Sequence, residues 1–267
     1  MPLNLPRYLD RIAIKDEAPS PEGLSRLQAA QLRAIAFENT EPLLGVVPDL
    51  SLAAVQQKLV VAKRGGYCLE LNALFGAALG ALGYQARPVL GRVRMGAATG
   101  GPRAHLAHIV QFGDRAFLAD TGFGGPAPEA PIEIGTGTPV ADRLGQYRLR
   151  RDAATEEWVL ERETTQGWFS LYGFDTVPVT EPDRIAANFF CARFPASPFP
   201  NHLMLNRVTE TGRVSLFDRK LTKDDTVTEL RDSADLADAL RDQFRLPYDC
   251  ALARNLWHKL APEALVA

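Results

Sequence analysis

Apolar positions follow a helical rhythm over the first third of the chain and change near residue 85 to an alternating one. In EGLSRLQAAQLRAIAF, Leu24, Leu27, Ala30 and Ala34 recur at helical spacing behind Pro21, a residue suited to a first helical turn. A second helix is predicted over 51–62 with Ser51 as its N-cap. A third runs through CLELNALFGAALGAL and stops at Gly83. Its Leu71, Leu74, Phe75, Ala78, Leu79 and Leu82 keep the i, i+3, i+4, i+7 spacing of a helix buried along one side. Residues 1–85 therefore read as helical.

Beyond Gly83 the period becomes two. ARPVLGRVRM, HLAHIVQF, RAFLAD, QYRLRRD, EWVLERET and WFSLYGF read as strands separated by Gly, Asp and Thr turns. They predict an antiparallel sheet or small barrel over about 86–190. The remainder mixes types: LMLNRVTETGRVSLFDRKLT reads as a hairpin around Thr211 and Gly212, and SADLADALRDQF as a helix capped by Ser233. Helices, then strands, then a mixed segment make an α+β chain.

Composition narrows the function classes. The chain has 267 residues, 46% hydrophobic and 23% charged, as a globular protein with a sizeable core should. Its 30 basic and 32 acidic residues leave a net charge of −2, which gives no electrostatic case for nucleic acid or an anionic membrane as partner. No run approaches the roughly 20 apolar residues of a membrane span, and MPLNLPRYLDRIAI lacks the pattern of a signal peptide. Cys68, Cys191 and Cys250 are odd in number and far apart, so the expectation is free thiols in a reducing cytoplasm. No cysteine pair has zinc spacing, and His105 and His108 have no ligand motif beside them, so no metal is expected.

The chemistry centres on Arg64-Gly65-Gly66-Tyr67-Cys68. Two glycines just before a helix permit a sharp turn and put Cys68 in or near the first helical turn. Free N–H groups and the positive dipole end there favour a thiolate. On these residues alone the position serves equally a nucleophile or a small buried side chain. Cys191, inside the aromatic stretch NFFCARF, and Cys250 carry no activating pattern.

A thiolate catalyst needs a base and a group that orients the base. Gly113 and Asp114 suit a two-residue hairpin loop between HLAHIVQF and RAFLAD. Phe112 then opposes Arg115, Ile109 opposes Leu118, and Ala107 opposes Asp120. Alternation places His105, Ala107 and Ile109 on one face with Asp120, and His108 on the other, opposite Ala119. The register selects His105 as the imidazole paired with Asp120. The glycine-rich turn after it, Thr121-Gly122-Phe123-Gly124-Gly125, is either an ordinary sheet-ending turn or one that presents N–H groups to a ligand.

RGGYCLELN (64–72) closely resembles the RGGxCxExN signature of the arylamine N-acetyltransferases. YLDRI (8–12), AFENTEPLLG (36–45), RAHLAHIVQF, ADTGFGG and SPFPNHLMLNR (197–207) extend the likeness over most of the chain. The resemblance implies a helical bundle over 1–85 carrying the nucleophile, an antiparallel β-barrel over 86–190 carrying His and Asp, and an α/β lid over 191–267, with a papain-like triad. It maps Cys68 to the nucleophile, His105 to the base and Asp120 to its orienter. It implies acetyl-CoA as donor, held in part by Gly124 and Gly125, and arylamines or arylhydrazines as acceptors, with Phe123 lining their pocket or else packing in the core. A monomer or homodimer active in xenobiotic metabolism would fit.

Three departures stand out. Thr121 replaces a small apolar residue. Pro126 and Ala127 stand where Gln-Thr is frequent, removing one hydroxyl and one N–H near the expected donor path. His108 replaces an aliphatic residue and is expected to be structural or at the surface. Arg64, Glu70 and Asn72 are expected to brace the motif. A macrolactam-forming amide synthase of the same fold, or a thiol hydrolase, would keep the same triad.

Overall fold

The computed structural model describes residues 2–260 except 17 and 225. Helices α1 (Leu5–Ile12) and α2 (Pro21–Ala34) open the chain, α2 with Pro21 in its first turn and the Ser20 hydroxyl accepting from Gly23 N–H. After the two-residue strand β1 (Phe37–Glu38) come α3 (Thr40–Leu43) and α4 (Leu52–Gln56), which continues as a wider π turn over Gln57–Val61. Ser51 caps α4 as expected, accepting from Ala54 N–H. Helix α5 (Cys68–Ala81) ends just before Gly83, whose φ of +84° suits glycine at a helix end.

The helical expectation for 1–85 fails at β1. Phe37 and Glu38 pair with Asn206 and Leu205 on a strand more than 160 residues away, and Phe37 also bridges Gly66. Such pairing between distant segments leaves no local signature, so the helical reading of AFENTEP had nothing to oppose it.

Eight antiparallel strands follow the helices: β2 (Gln85–Val93), β3 (Arg103–Phe112), β4 (Arg115–Ala119), β5 (Ile132–Glu133), β6 (Val140–Asp142), β7 (Gly145–Arg151), β8 (Trp158–Thr164) and β9 (Gly167–Phe174). Their order β5-β4-β3-β2-β9-β8-β7-β6 curls into a nearly closed barrel. The β3–β4 hairpin has the expected register, with Phe112 opposite Arg115, Ile109 opposite Leu118 and His108 opposite Ala119. Pairing stops at Ala119, so Asp120 lies just beyond the strand. Along β3, Ala107 and Ile109 enter the barrel core with Leu118, Leu160 and Tyr172, while Leu106 and Val110 pack under α5.

Helix α6 (Glu181–Arg193) was not foreseen; Thr180 and Asp183 cap its start, but exposed Ile185 and Phe189 blur its apolar stripe. Strands β10 (Met204–Val208), β11 (Arg213–Phe217), β12 (Lys220–Lys223) and β13 (Thr226–Glu229) extend β1 into a second antiparallel sheet. Its Leu205, Val214 and Leu216 pack on α7 (Ser233–Asp238) and α8 (Cys250–Lys259). The β10–β11 hairpin turns over Thr211 and Gly212 as expected. Ser233, however, is the first helical residue and not the cap. Asp232 holds the extended cap conformation, and its carboxylate accepts from Ala234 and Asp235 N–H at 2.9 Å. A carboxylate suits the positive helix end better than a hydroxyl does.

Candidate active site

Cys68 is the first residue of α5, behind Tyr67 in an extended conformation. Glu70, one turn on, accepts from Tyr67 N–H at 3.2 Å and bonds Lys58 Nζ at 2.7 Å. Burial pushes the Glu70 carboxyl up to about 7 despite Lys58. Arg64 meets Glu41 at 2.9 Å and donates to Tyr248 Oη, which in turn donates to Glu38. Glu70 and Arg64 thus brace the turn that carries Cys68, as expected of them.

Asp120 is the hub. Its Oδ2 lies 2.7 Å from His105 Nε2, and its Oδ1 accepts from Asn72 Nδ2 at 2.9 Å and Gly122 N–H at 2.8 Å. Burial alone would raise the Asp120 pKa, but His105 and these donors outweigh it and hold the carboxyl below the usual range. For His105, burial favours the neutral ring; Asp120 outweighs it and raises the imidazole to about 10. The Cys68 thiol is held high by the neighbouring Cys191 thiol and by burial, with His105 pulling the other way. Asp120 thus strengthens the imidazole as a proton acceptor beside the thiol.

Cys68, His105, Phe123, Gly124 and Gly125 border one cavity of about 340 Å³, whose other walls include Phe37, Met95, Phe199 and Met204. Among the described residues, its lining carries no Lys, Arg, Asp or Glu. Phe123 borders this cavity, while its ring meets His105 at 5.3 Å and packs on the barrel core. Gly122 lies so close to α5 that a Cβ there would come 2.8 Å from Cys68 Cα. Gly124, with φ +70°, faces the Phe37 ring where a Cβ would collide. The Gly125 and Ala127 carbonyls are both held by Arg213, so this turn is fixed from behind. Thr121 satisfies its hydroxyl, accepting from Gln31 Nε2 at 2.8 Å.

Three residues at the site had no sequence signal strong enough to find them. Tyr172 donates to Asp120, yet reaches it only because β9 closes against β2. Gln28 accepts the Asp120 N–H at 3.0 Å from α2. Cys191, which carries no activating pattern in the sequence, packs in the buried core and also lines the cavity beside Cys68. His108 is not at the surface: it is 5% exposed, packed beneath α5 beside Phe75, and burial pushes it down to about 4. Cys250 is exposed and does not line the cavity.

A buried histidine–carboxylate pair and a cysteine at a helix start are set between helices and a barrel, and the model of the N-acetyltransferase family matches residues 21–253. An arylamine N-acetyltransferase / N-hydroxyarylamine O-acetyltransferase of Salmonella typhimurium is 36% identical over 207 residues, 77% of this chain and 73% of its own length. The Escherichia coli arylamine N-acetyltransferase is 33% identical over 238 residues, covering 85% of this chain and 84% of its own. Among solved structures, the Mycobacterium marinum arylamine N-acetyltransferase in complex with CoA superposes with a TM-score of 0.90 at 34% identity, covering 97% of this chain and 100% of that one. The chain belongs to the arylamine N-acetyltransferase family.

Proposed function

We propose that this protein transfers an acetyl group from acetyl-CoA to aromatic amines or hydrazines in two half-reactions on Cys68. The His105–Asp120 contact of 2.7 Å, beside a cysteine at a helix start and facing a shared cavity, carries the reading. In the first half-reaction His105 takes the thiol proton while Cys68 Sγ attacks the thioester carbonyl. The bond to the CoA sulfur breaks, and His105 returns the proton to the departing thiolate. In the second, the amine attacks the acetyl-cysteine; His105 takes the amine proton and passes it to the released Cys68. The N–H groups of the first turn of α5 are the donors placed for the oxyanion. Asp120 orients the ring and stabilises its cationic form.

The aromatic and aliphatic walls support an aryl acceptor, with Phe123 in its pocket, and Gly124 and Gly125 give the donor thioester a close backbone approach. The same triad would serve a macrolactam synthase or a thiol hydrolase; relatives named for acetyl transfer to arylamines favour the first reading. We further read the nucleophile as the work of residues 1–85, the base pair of 86–190, and the lid of 191–267. Near-neutral charge and the absence, among the described residues, of any helix long and apolar enough to cross a membrane support a small-molecule enzyme without nucleic-acid or membrane partners. Three unpaired cysteines support the cytoplasm as its compartment, and we read the protein as a monomer or homodimer.

Mass spectrometry after brief exposure to acetyl-CoA tests the assignment: an acetyl group is expected on the peptide with Cys68, and none in Cys68→Ala. An acetyl group on Cys191 or Cys250 instead would overturn it. Amine-dependent loss of that acetyl, slow in water alone, separates a transferase from a hydrolase.

A further inference from the structure

Two thiols, not one, face the reacting end of the cavity. Cys68 Sγ lies 3.9 Å and Cys191 Sγ 3.5 Å from the same acceptor, the Ala104 carbonyl oxygen. Both sulfurs border the cavity and both residues are 4% exposed. Their helices are pinned together on either side of the pair. The Tyr67 hydroxyl, next to Cys68, bonds Asn188, almost one turn before Cys191. Asn188 Nδ2 is anchored on the Pro48 carbonyl at 2.9 Å, and the Cys191 carbonyl is held by Ser197 Oγ at 2.7 Å. The end of α6 therefore keeps Cys191 against the start of α5. The acetyl-transfer chemistry gives this second thiol no task.

We propose that Cys68 and Cys191 are a peroxide modification site, closing to a disulfide that a thiol reductant reopens. The inference rests on Cys68 being the reactive thiol of the proposed reaction. With His105 holding its proton, the Cys68 thiolate attacks hydrogen peroxide, the O–O bond breaks, and Cys68 becomes a sulfenic acid with release of water. Cys191 then attacks the Cys68 sulfur. Its proton leaves with the displaced hydroxide as a second water, so both thiols are oxidised while one peroxide is reduced. A partner thiol within reach intercepts the sulfenic acid before further peroxide carries it to the irreversible sulfinic acid. An acetylated Cys68 is a thioester with no thiolate to attack peroxide, so the donor substrate shields the site from oxidation. Small reductants enter by the cavity that admits the substrates and restore both thiols by exchange.

Treating the whole protein with hydrogen peroxide and mapping its peptides tests this directly. The expected product is a single cross-link between the Cys68 and Cys191 peptides, a loss of about 2 Da, with activity lost in step and recovered on adding dithiothreitol. Cys191→Ser and Cys191→Ala, each compared with its own starting activity, should instead gain about 32 Da on Cys68 and stay inactive after dithiothreitol. Prior acetyl-CoA should protect all three proteins. A sulfinic acid on Cys68 in the wild-type protein, or full dithiothreitol recovery in both variants, would overturn the pair while leaving the acetyl-transfer reading intact. Failure of acetyl-CoA to label Cys68 in the same samples would identify failure of that reading separately.

Discussion

Tyr172 Oη donates to Asp120 Oδ2 at 2.9 Å, the same oxygen that meets His105 Nε2 at 2.7 Å. One carboxylate oxygen thus carries His105 and a second donor from β9, two strands along the barrel. Burial and the carboxylate hold the Tyr172 hydroxyl firmly protonated, so it acts only as a donor.

Tyr172→Phe keeps the ring that contacts His105 at 4.6 Å and removes only this hydrogen bond. Bonds to charged groups contribute about 1.5–3 kcal/mol, so the rate of Cys68 acetylation should fall by roughly 10-fold or more. The acid limb of its pH profile should move upward, because Asp120 loses a group that favours its ionised form. Burst kinetics of CoA release across pH measure both effects. An unchanged limb would mean that Tyr172 only packs.

The two histidines of β3 separate chemistry from packing. His105→Gln should slow acetylation by about 10²–10⁴-fold, the usual range for loss of a general base. His108→Gln should retain most of its rate and lose stability instead, since His108 sits under α5 away from the cavity lining. Equal losses of rate in two folded variants would refute the division.

Acid stability isolates His108 more sharply. Its folded pKa, about 4, lies below the ordinary 6.5, so the unfolded chain binds the extra proton between those values. The contribution is whole above pH 6.5 and is lost as pH falls toward 4. His108→Leu removes that loss, up to about 3 kcal/mol. Urea unfolding at pH 6.5 and 4.5 should show a smaller drop for the variant than for the wild type. Glu70, raised to about 7, contributes the opposite slope in both proteins and cancels from the comparison.

Arg213 offers a test of the turn proposed to receive the donor. It holds the Gly125 carbonyl and donates to Ala127 O at 2.7 Å and Asn206 Oδ1 at 2.9 Å. Arg213→Met should loosen that turn and raise the KM for acetyl-CoA several-fold. The rate at which amines discharge acetyl-Cys68 should barely change. A change confined to the amine step would move the turn from the donor side to the acceptor side.

Much of this site was legible before any coordinates. The motif around Cys68 and the Gly113-Asp114 hairpin are local, and local spacing alone chose His105 over His108. What escaped notice depends on contacts between distant segments. Tyr172 and His105 belong to strands that meet only across β2, and α6 brings Cys191 to Cys68 by packing that no periodicity announces. The Asp232 cap was missed by one residue because Asp and Ser are both good caps side by side.

Strand β1 has a consequence for how the protein holds together. Phe37 forms part of the cavity wall, while its backbone is an edge of the sheet otherwise built from residues 204–229. Glu38, beside it, receives the Tyr248 hydroxyl and braces Arg64. A segment made more than 160 residues after Phe37 therefore completes a wall that Phe37 begins. A nascent chain lacking β10 would carry all three groups of the proposed triad and no finished pocket. A finished pocket is thus a late acquisition, arriving only when β1 and β10 have found each other.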